Sequence, residues 1–189
     1  IFLSDNGPAN HGSCSPFKGR KTWLYEGGTR VPTIVKWKGQ IPAGSEEASP
    51  SMTMDLLPTL VSMTRTPMPK DLEIDGIDLS PAWLERKTLP ERMLFWEKPT
   101  GVHMKRFDQR RWAVRSGKWK IIQPRPEKPV ELYDLKTDPS ESRDISGMHP
   151  ELVQRLHNEF HAWKADVYAD SPYDIEAFIS ELENAGIIE

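Results

Sequence analysis

The chain has little that would cross-link it, embed it or draw it to a polyanion. Cys14 is its one cysteine, so no internal disulfide can form. No apolar run approaches the ~20 residues that a membrane-spanning helix needs. Positive charge is not in excess: 25 Lys and Arg face 28 Asp and Glu, a net charge of −3. That excludes a broad electrostatic footprint for nucleic acid. Hydrophobic residues make up 37% of the 189, below the usual share for a globular domain, and there are 17 prolines. This composition describes a soluble, loop-rich chain. A start methionine is also missing. The chain opens on "IFLSDNG", which reads as a core strand with no signal region or polar lead-in. The expectation is a C-terminal piece of a longer protein, with any localisation signal outside these residues. Oligomeric state is not legible.

What is present falls into two regions. "IFL" is a short apolar run ending at Ser4, as a fully buried parallel strand would. A long loop rich in glycine, proline and charge follows, and such loops are often functional. "VPTIVKW" reads as a second strand and "KGQIPAGSEEAS" as a surface turn. "SMTMDLLPTLVSM" has helical spacing, with Ser51 or Thr53 as N-cap and Pro58 in the first turn. "TPMPKDLEIDGIDLSPAWL" reads as a proline-rich linker. Beyond it, "RMLFWEK", "RRWAVRSGKWKIIQ" and "VELYDL" give a strand, a hairpin turning at Ser116-Gly117, and another strand. "TDPSESRDIS" is polar turn sequence. In "HPELVQRLHNEFHAWKADV", Leu152, Leu156, Phe160 and Trp163 recur at three- and four-residue steps, and Pro150 suits the first turn of that helix. Trp96, Trp112, Trp119 and Trp163 read as core and inter-element anchors. The acidic tail reads as a terminal helix of no legible function.

Two places could carry chemistry. Asp5 and Asn6 follow the first strand, and in open α/β sheets ligands bind beyond the carboxyl ends of strands. A carboxylate and an amide oxygen suit a hard cation such as Ca²⁺ or Mg²⁺. They also suit a simple strand-end turn, so spacing alone leaves both readings open. The loop "PFKGRKTWLYEGGTRVP" gathers Lys18, Arg20, Lys21 and Arg30 among glycines, a composition able to hold an oxyanion or merely to be solvated. His11 is a candidate proton donor in the preceding loop. His103, with Lys105 and Arg106, is a candidate for substrate selection.

Together, "SDNG", the basic Gly-x-Lys segment and "YEGGTRVP" resemble the C-terminal half of the type I, formylglycine-dependent sulfatases of the alkaline phosphatase superfamily. "SMTMDLLPTL", "DGIDLSPAWL", "AVRSGKWKII" and "ELYDLKTDPSESRDIS" are similar to later blocks of that family, out to roughly residue 166. The resemblance implies that Asp5 and Asn6 are the second pair of metal ligands, for Ca²⁺ more than Mg²⁺. It implies that Lys21 contacts the substrate sulfate and stabilises charge in catalysis. Glu26, Gly27, Gly28 and Arg30 read as structural, the glycines for unusual backbone angles and Glu26 with Arg30 as an ion pair. Where the family often has Arg-Gly-Gly-Lys-Gly, this chain has Lys18-Gly19-Arg20-Lys21-Thr22. The loop backbone is therefore expected to differ, with Arg20 a candidate to share the anion.

The family's nucleophile is a formylglycine made from Cys or Ser in Cys/Ser-x-Pro-x-Arg. "CSPFK" has that outline but carries Lys18 in place of Arg, and it follows the Asp-Asn pair instead of preceding it. Cys14 is thus read as a loop residue, and the formylglycine is expected outside these residues.

The expected fold is α/β: residues 1–85 the C-terminal part of an alkaline-phosphatase-like α/β sandwich, residues 86–189 an antiparallel sheet with a C-terminal helix. The expected parent is a sulfuric ester hydrolase acting on a sulfated small molecule or carbohydrate, periplasmic or secreted, with the isolated chain inactive. A phosphodiesterase or phosphonate hydrolase of the superfamily, or a non-catalytic binding homologue, are the alternatives.

Overall fold

The computed structural model describes residues 1–9, 11–68, 71–98, 111–169 and 180. Two compact units emerge: Ile1–Phe2 with Thr33–Glu91, and Leu3–Pro32 with Arg92–Glu189. The division expected at residue 85 runs along the chain; by packing, the loop after the first strand belongs to the unit that holds the later sheet.

β1 (Phe2–Leu3) and β2 (Thr33–Ile34) are two-residue strands forming a two-stranded sheet. A fully buried strand was expected at "IFL", yet Phe2 is 65% exposed. A sheet of two strands has no further strand or layer, among the described residues, to cover that side chain. The helix at "DLLPTL" is α2 (Leu56–Thr64), entered through a 3-10 turn at Thr53–Asp55, and Pro58 does lie in its first turn. The start is held by Asp55 in place of Ser51 or Thr53. The Asp55 carboxylate accepts the Met52 N–H at 2.7 Å and the Ile77 N–H at 3.0 Å. Thr59 Oγ1 donates to the Asp55 carbonyl at 2.6 Å and accepts the Leu79 N–H at 2.8 Å. Both side chains are fully buried. The expected linker is therefore pinned to α2, and it contains a short helix, α3 (Ser80–Glu85). Gly76 is required there for space, because a Cβ would stand 2.2 Å from the Met54 carbonyl oxygen.

The second unit carries a four-stranded antiparallel meander: β3 (Met93–Lys98), β4 (Arg111–Ser116), β5 (Trp119–Gln123) and β6 (Glu131–Asp134). Ser116 pairs with Trp119, so the hairpin turns at Gly117-Lys118, one residue later than read from the sequence. Gly117, at φ 57°, supplies the left-handed conformation of that turn. Alternate residues face opposite ways. Trp112, Val114, Ile121 and Leu132 meet Leu156 and Phe160 of helix α4 (Pro150–Tyr168). The Trp112 and Phe160 rings stack at 4.4 Å, and those of Phe95 and Trp163 at 5.1 Å. Full burial of a side chain such as Leu156 contributes roughly 1.5–3 kcal/mol, so this face alone secures α4.

The other face was not anticipated as covered. Ala113, Ile122 and Tyr133 pack there with Tyr25, Trp23 and Leu24. The glycine-rich loop is thus the second layer of the sheet.

Candidate active site

The turn after β1 is tied into that loop by main-chain bonds. Gly7 N–H donates to the Gly28 carbonyl at 2.9 Å, and Lys21 N–H to the Pro8 carbonyl at 3.0 Å. Ser4 Oγ donates to the Asn6 carbonyl at 2.9 Å. α1 (Glu26–Thr29) follows directly. These bonds fold residues 4–9 and 11–32 around a cavity of about 800 Å³ whose lining includes Asp5, Asn6, Ser13, Cys14, Lys21 and Arg30. Among the described residues, the side chains of Asp5, Asn6 and Lys21 have no hydrogen bond or ion pair to each other or to the rest of the chain. A carboxylate, an amide oxygen and an ammonium are left for a ligand.

Gly27 and Gly28 make this approach possible through space, not through dihedral freedom. Gly27 and Gly28 lie within α1 and outside the left-handed region. A Cβ on Gly28 would stand 1.9 Å from the Trp23 carbonyl oxygen, and one on Gly27 would stand 2.8 Å from Cys14 Sγ. The reading that they serve unusual backbone angles is corrected accordingly. The residues of this loop with such angles are Gly19, at φ 87°, and Thr22, at φ 76°. Thr22 stands where the sulfatase pattern has its last glycine, in a conformation that glycine adopts without cost and a β-branched residue does not. Arg111 Nη1, donating to the Thr22 carbonyl at 3.2 Å, helps hold it.

Behind the cavity the same loop carries buried charge. Glu26 Oε1 accepts from Lys120 Nζ at 2.8 Å, and Glu141 Oε1 lies 3.4 Å from that ammonium. Glu141 Oε2 accepts the Glu26 N–H at 2.6 Å. All three residues are nearly or fully buried. Arg30 and Arg115 each stand 3.8 Å from Glu26 Oε2. The expected Glu26–Arg30 pair therefore exists, but Lys120 is the closer partner. Burial pushes Glu141 up to about 7, against the pull of Lys120. Nearby, Glu131 Oε2 accepts from Tyr25 and Tyr133, each at 2.6 Å, and Lys18 Nζ donates to the Tyr133 hydroxyl at 2.9 Å. Burial, then the bond to Glu131, drives both phenols well above their ordinary range.

Of the residues singled out from sequence, Asp5, Asn6 and Lys21 line one cavity. Arg20 and His11 are exposed and are not among its lining residues. His103, Lys105 and Arg106 lie outside the described residues. Arg30, read as structural, also lines the cavity, with its guanidinium 4.7 Å from the Phe17 ring. The buried Lys120 and Glu141 went unnoticed, since nothing local marks their shared partner Glu26, which is 94 and 115 residues away. Cys14 donates to the Gly19 carbonyl at 3.0 Å and packs against Gly27, so it is a wall component and not a loose thiol.

Residues 17–166 match the family "N-sulphoglucosamine sulphohydrolase, C-terminal". The chain belongs to the sulfatase family, in its C-terminal part. Asp5 and Asn6 precede the matched stretch. Human arylsulfatase A is 32% identical over 191 residues, covering 82% of this chain and 36% of the relative. The N-acetylgalactosamine-6-O-sulfatase of Bacteroides thetaiotaomicron is 26% identical, covering 82% of this chain and 34% of the relative. The crystal structure of Ps i-CgsB in complex with k-i-k-neocarrahexaose superposes with a TM-score of 0.80 at 25% identity, covering 97% of this chain and 40% of that one. The chain thus spans about a third of the length of the curated relatives it matches. No helix among the described residues is long and apolar enough to cross a membrane.

Proposed function

We propose that these residues form one wall of the active centre of a sulfuric ester hydrolase. The observation that carries this reading is the meeting of Asp5, Asn6 and Lys21, unpaired, around one cavity. The donor set fits a hard divalent cation, because a carboxylate and an amide oxygen are the ligand types that Ca²⁺ and Mg²⁺ take. Among the described residues no three His, Cys, Asp or Glu side chains gather, so Asp5 and Asn6 are part of a shell that other residues of the whole protein complete. A bound Ca²⁺ supplies charge neutralisation for the ester's oxygens. Lys21 sets its ammonium beside the same anion and stabilises charge developing on it. Arg30 adds a second cation to the wall. The nucleophile, a formylglycine by the family pattern, belongs to residues outside these 189.

The substrate class is a sulfated carbohydrate or small molecule. The names of the relatives, among them an N-acetylgalactosamine-6-O-sulfatase, support this. They weigh against the phosphodiesterase and binding-module alternatives. The family likeness is likewise the support for a periplasmic or secreted location. The test is sulfate release by the whole enzyme from an aryl sulfate and a sulfated monosaccharide, with matched phosphate esters alongside. Hydrolysis that prefers sulfate and is lost in Lys21→Met is expected. A preference for phosphate, or full activity in Lys21→Met, would overturn the reading.

A further inference from the structure

Helix α4 presents a pair of groups that sulfate chemistry does not use. His157 and His161 are four residues apart, so they share one helix face. Their Nε2 atoms stand 3.2 Å apart, within hydrogen-bond distance of each other. His161 is exposed and His157 half-buried, so the pair is open to solvent.

We infer that His157 and His161 form a two-imidazole site for a borderline transition metal, Cu²⁺, Ni²⁺ or Zn²⁺. Two nitrogens each about 2.0–2.1 Å from one metal lie about 2.9 Å apart at a right angle and about 3.4 Å apart at the tetrahedral angle. The observed separation falls between these limits. Closing the chelate replaces the hydrogen bond between the two Nε2 atoms with two metal–nitrogen bonds, each ring holding its proton on Nδ1. Imidazole selects such metals, whereas the oxygen pair Asp5 and Asn6 selects hard cations. The two sites therefore sort metals by ligand chemistry. Solvent fills the remaining positions, since no third His, Cys, Asp or Glu joins the pair among the described residues. By the general order of affinities, Cu²⁺ binds tightest.

Trp112 reports on the site. Its ring centroid is 5.5 Å from that of His157 and 6.4 Å from that of His161, so bound Cu²⁺ quenches its fluorescence. The experiment titrates Cu²⁺ into the purified chain in excess Ca²⁺, following tryptophan emission and the Cu²⁺ electron paramagnetic resonance spectrum. Saturable quenching with two imidazole nitrogens on copper is expected. His161→Asn, at an exposed position that folding tolerates, should raise the midpoint about a hundredfold, because it removes the second, intramolecular bond. His157→Asn should do the same, with circular dichroism confirming that α4 is intact. Addition of Ni²⁺ should raise the thermal unfolding midpoint of the wild type and not of either variant. Identical titration midpoints in wild type and His161→Asn, or a spectrum with a single imidazole, would overturn the site. Neither result bears on the sulfatase reading, which concerns other residues.

Discussion

The two sides of the loop between Cys14 and Pro32 invite comparison. On the side facing the sheet, every charge has a partner: Glu26 with Lys120, Lys18 with Glu131 and two phenols. On the side facing the cavity, Lys21 has none among the described residues, and neither do Asp5 and Asn6. A buried charge must be paired to be tolerated, so the first set reads as structure. An exposed set of mixed donors collected in a concavity but left unpaired is what a ligand site retains. The glycine-rich signature thus has a double task. Its buried half fixes the shape of the loop from which Lys21 faces the cavity.

The largest effect expected is on the buried side. Lys120→Met leaves the Glu26 and Glu141 carboxylates facing each other without their nearest cation. Breaking a buried pair in this way costs about 3–5 kcal/mol. Urea denaturation should show it, and a loss under about 1 kcal/mol would remove the distinction between the two sides. On the open side the converse holds. Lys21→Met should change stability by no more than about 0.5 kcal/mol, as for most exposed positions. In the whole enzyme it should lower kcat by about 10²–10³, the usual loss when one donor to a developing anion is removed.

Acidity sharpens the contrast. Glu141 is pushed up to about 7 from an ordinary value of 4.5, chiefly by burial. Between those values the folded chain holds a proton that the unfolded chain has released. The resulting stabilisation is fully present below the lower value and lost as pH rises through the upper one. From pH 5 to 8 the second unit should lose on the order of 2–3 kcal/mol from this group. Glu141→Gln, which keeps an acceptor for the Glu26 N–H, should flatten that profile. An unchanged slope in Glu141→Gln would place the titration elsewhere.

These contrasts also mark what the sequence discloses. The alternation in "RRWAVRSGKWKII" and the spacing of Leu156 and Phe160 predict a sheet with a helix on it, because burial repeats at two and at 3.6 residues. Motif order singled out Asp5, Asn6 and Lys21, which line one cavity. The covering of the second sheet face was not legible. Glu26 and Glu141 are 115 residues apart, as are Lys18 and Tyr133, and no local pattern encodes such a meeting. Asp55 was hidden for a related reason. Its two N–H donors come from Met52, three residues before, and from Ile77 in a segment whose prolines suggested a loose linker.

A smaller effect concerns the backbone between the two sides. Thr22 at φ 76° is in a conformation that costs a non-glycine residue about 1–2 kcal/mol. Glycine there relieves that strain but adds freedom to the unfolded chain, worth about 0.4–1 kcal/mol. Thr22→Gly should therefore stabilise by about 0.5–1 kcal/mol in thermal or urea unfolding. A destabilised variant would mean that the threonine side chain contributes more than its backbone costs.

The smallest effect is expected at Cys14, which belongs to both sides at once. It lines the cavity, yet its thiol donates to the Gly19 carbonyl and packs on Gly27. As a wall component it needs a small donor and not a sulfur nucleophile. Cys14→Ser keeps the donor on a shorter bond, so the expected cost is about 0.5 kcal/mol, the low end for one hydrogen bond. In the whole enzyme, sulfate release should be unchanged. A conversion of Cys14 to formylglycine is visible by peptide mass spectrometry, and that modification or a loss of turnover in Cys14→Ser would move the chemistry onto this residue. An intact thiol and an active serine variant would leave it on the buried side of the comparison, as a residue that shapes the cavity without reacting in it.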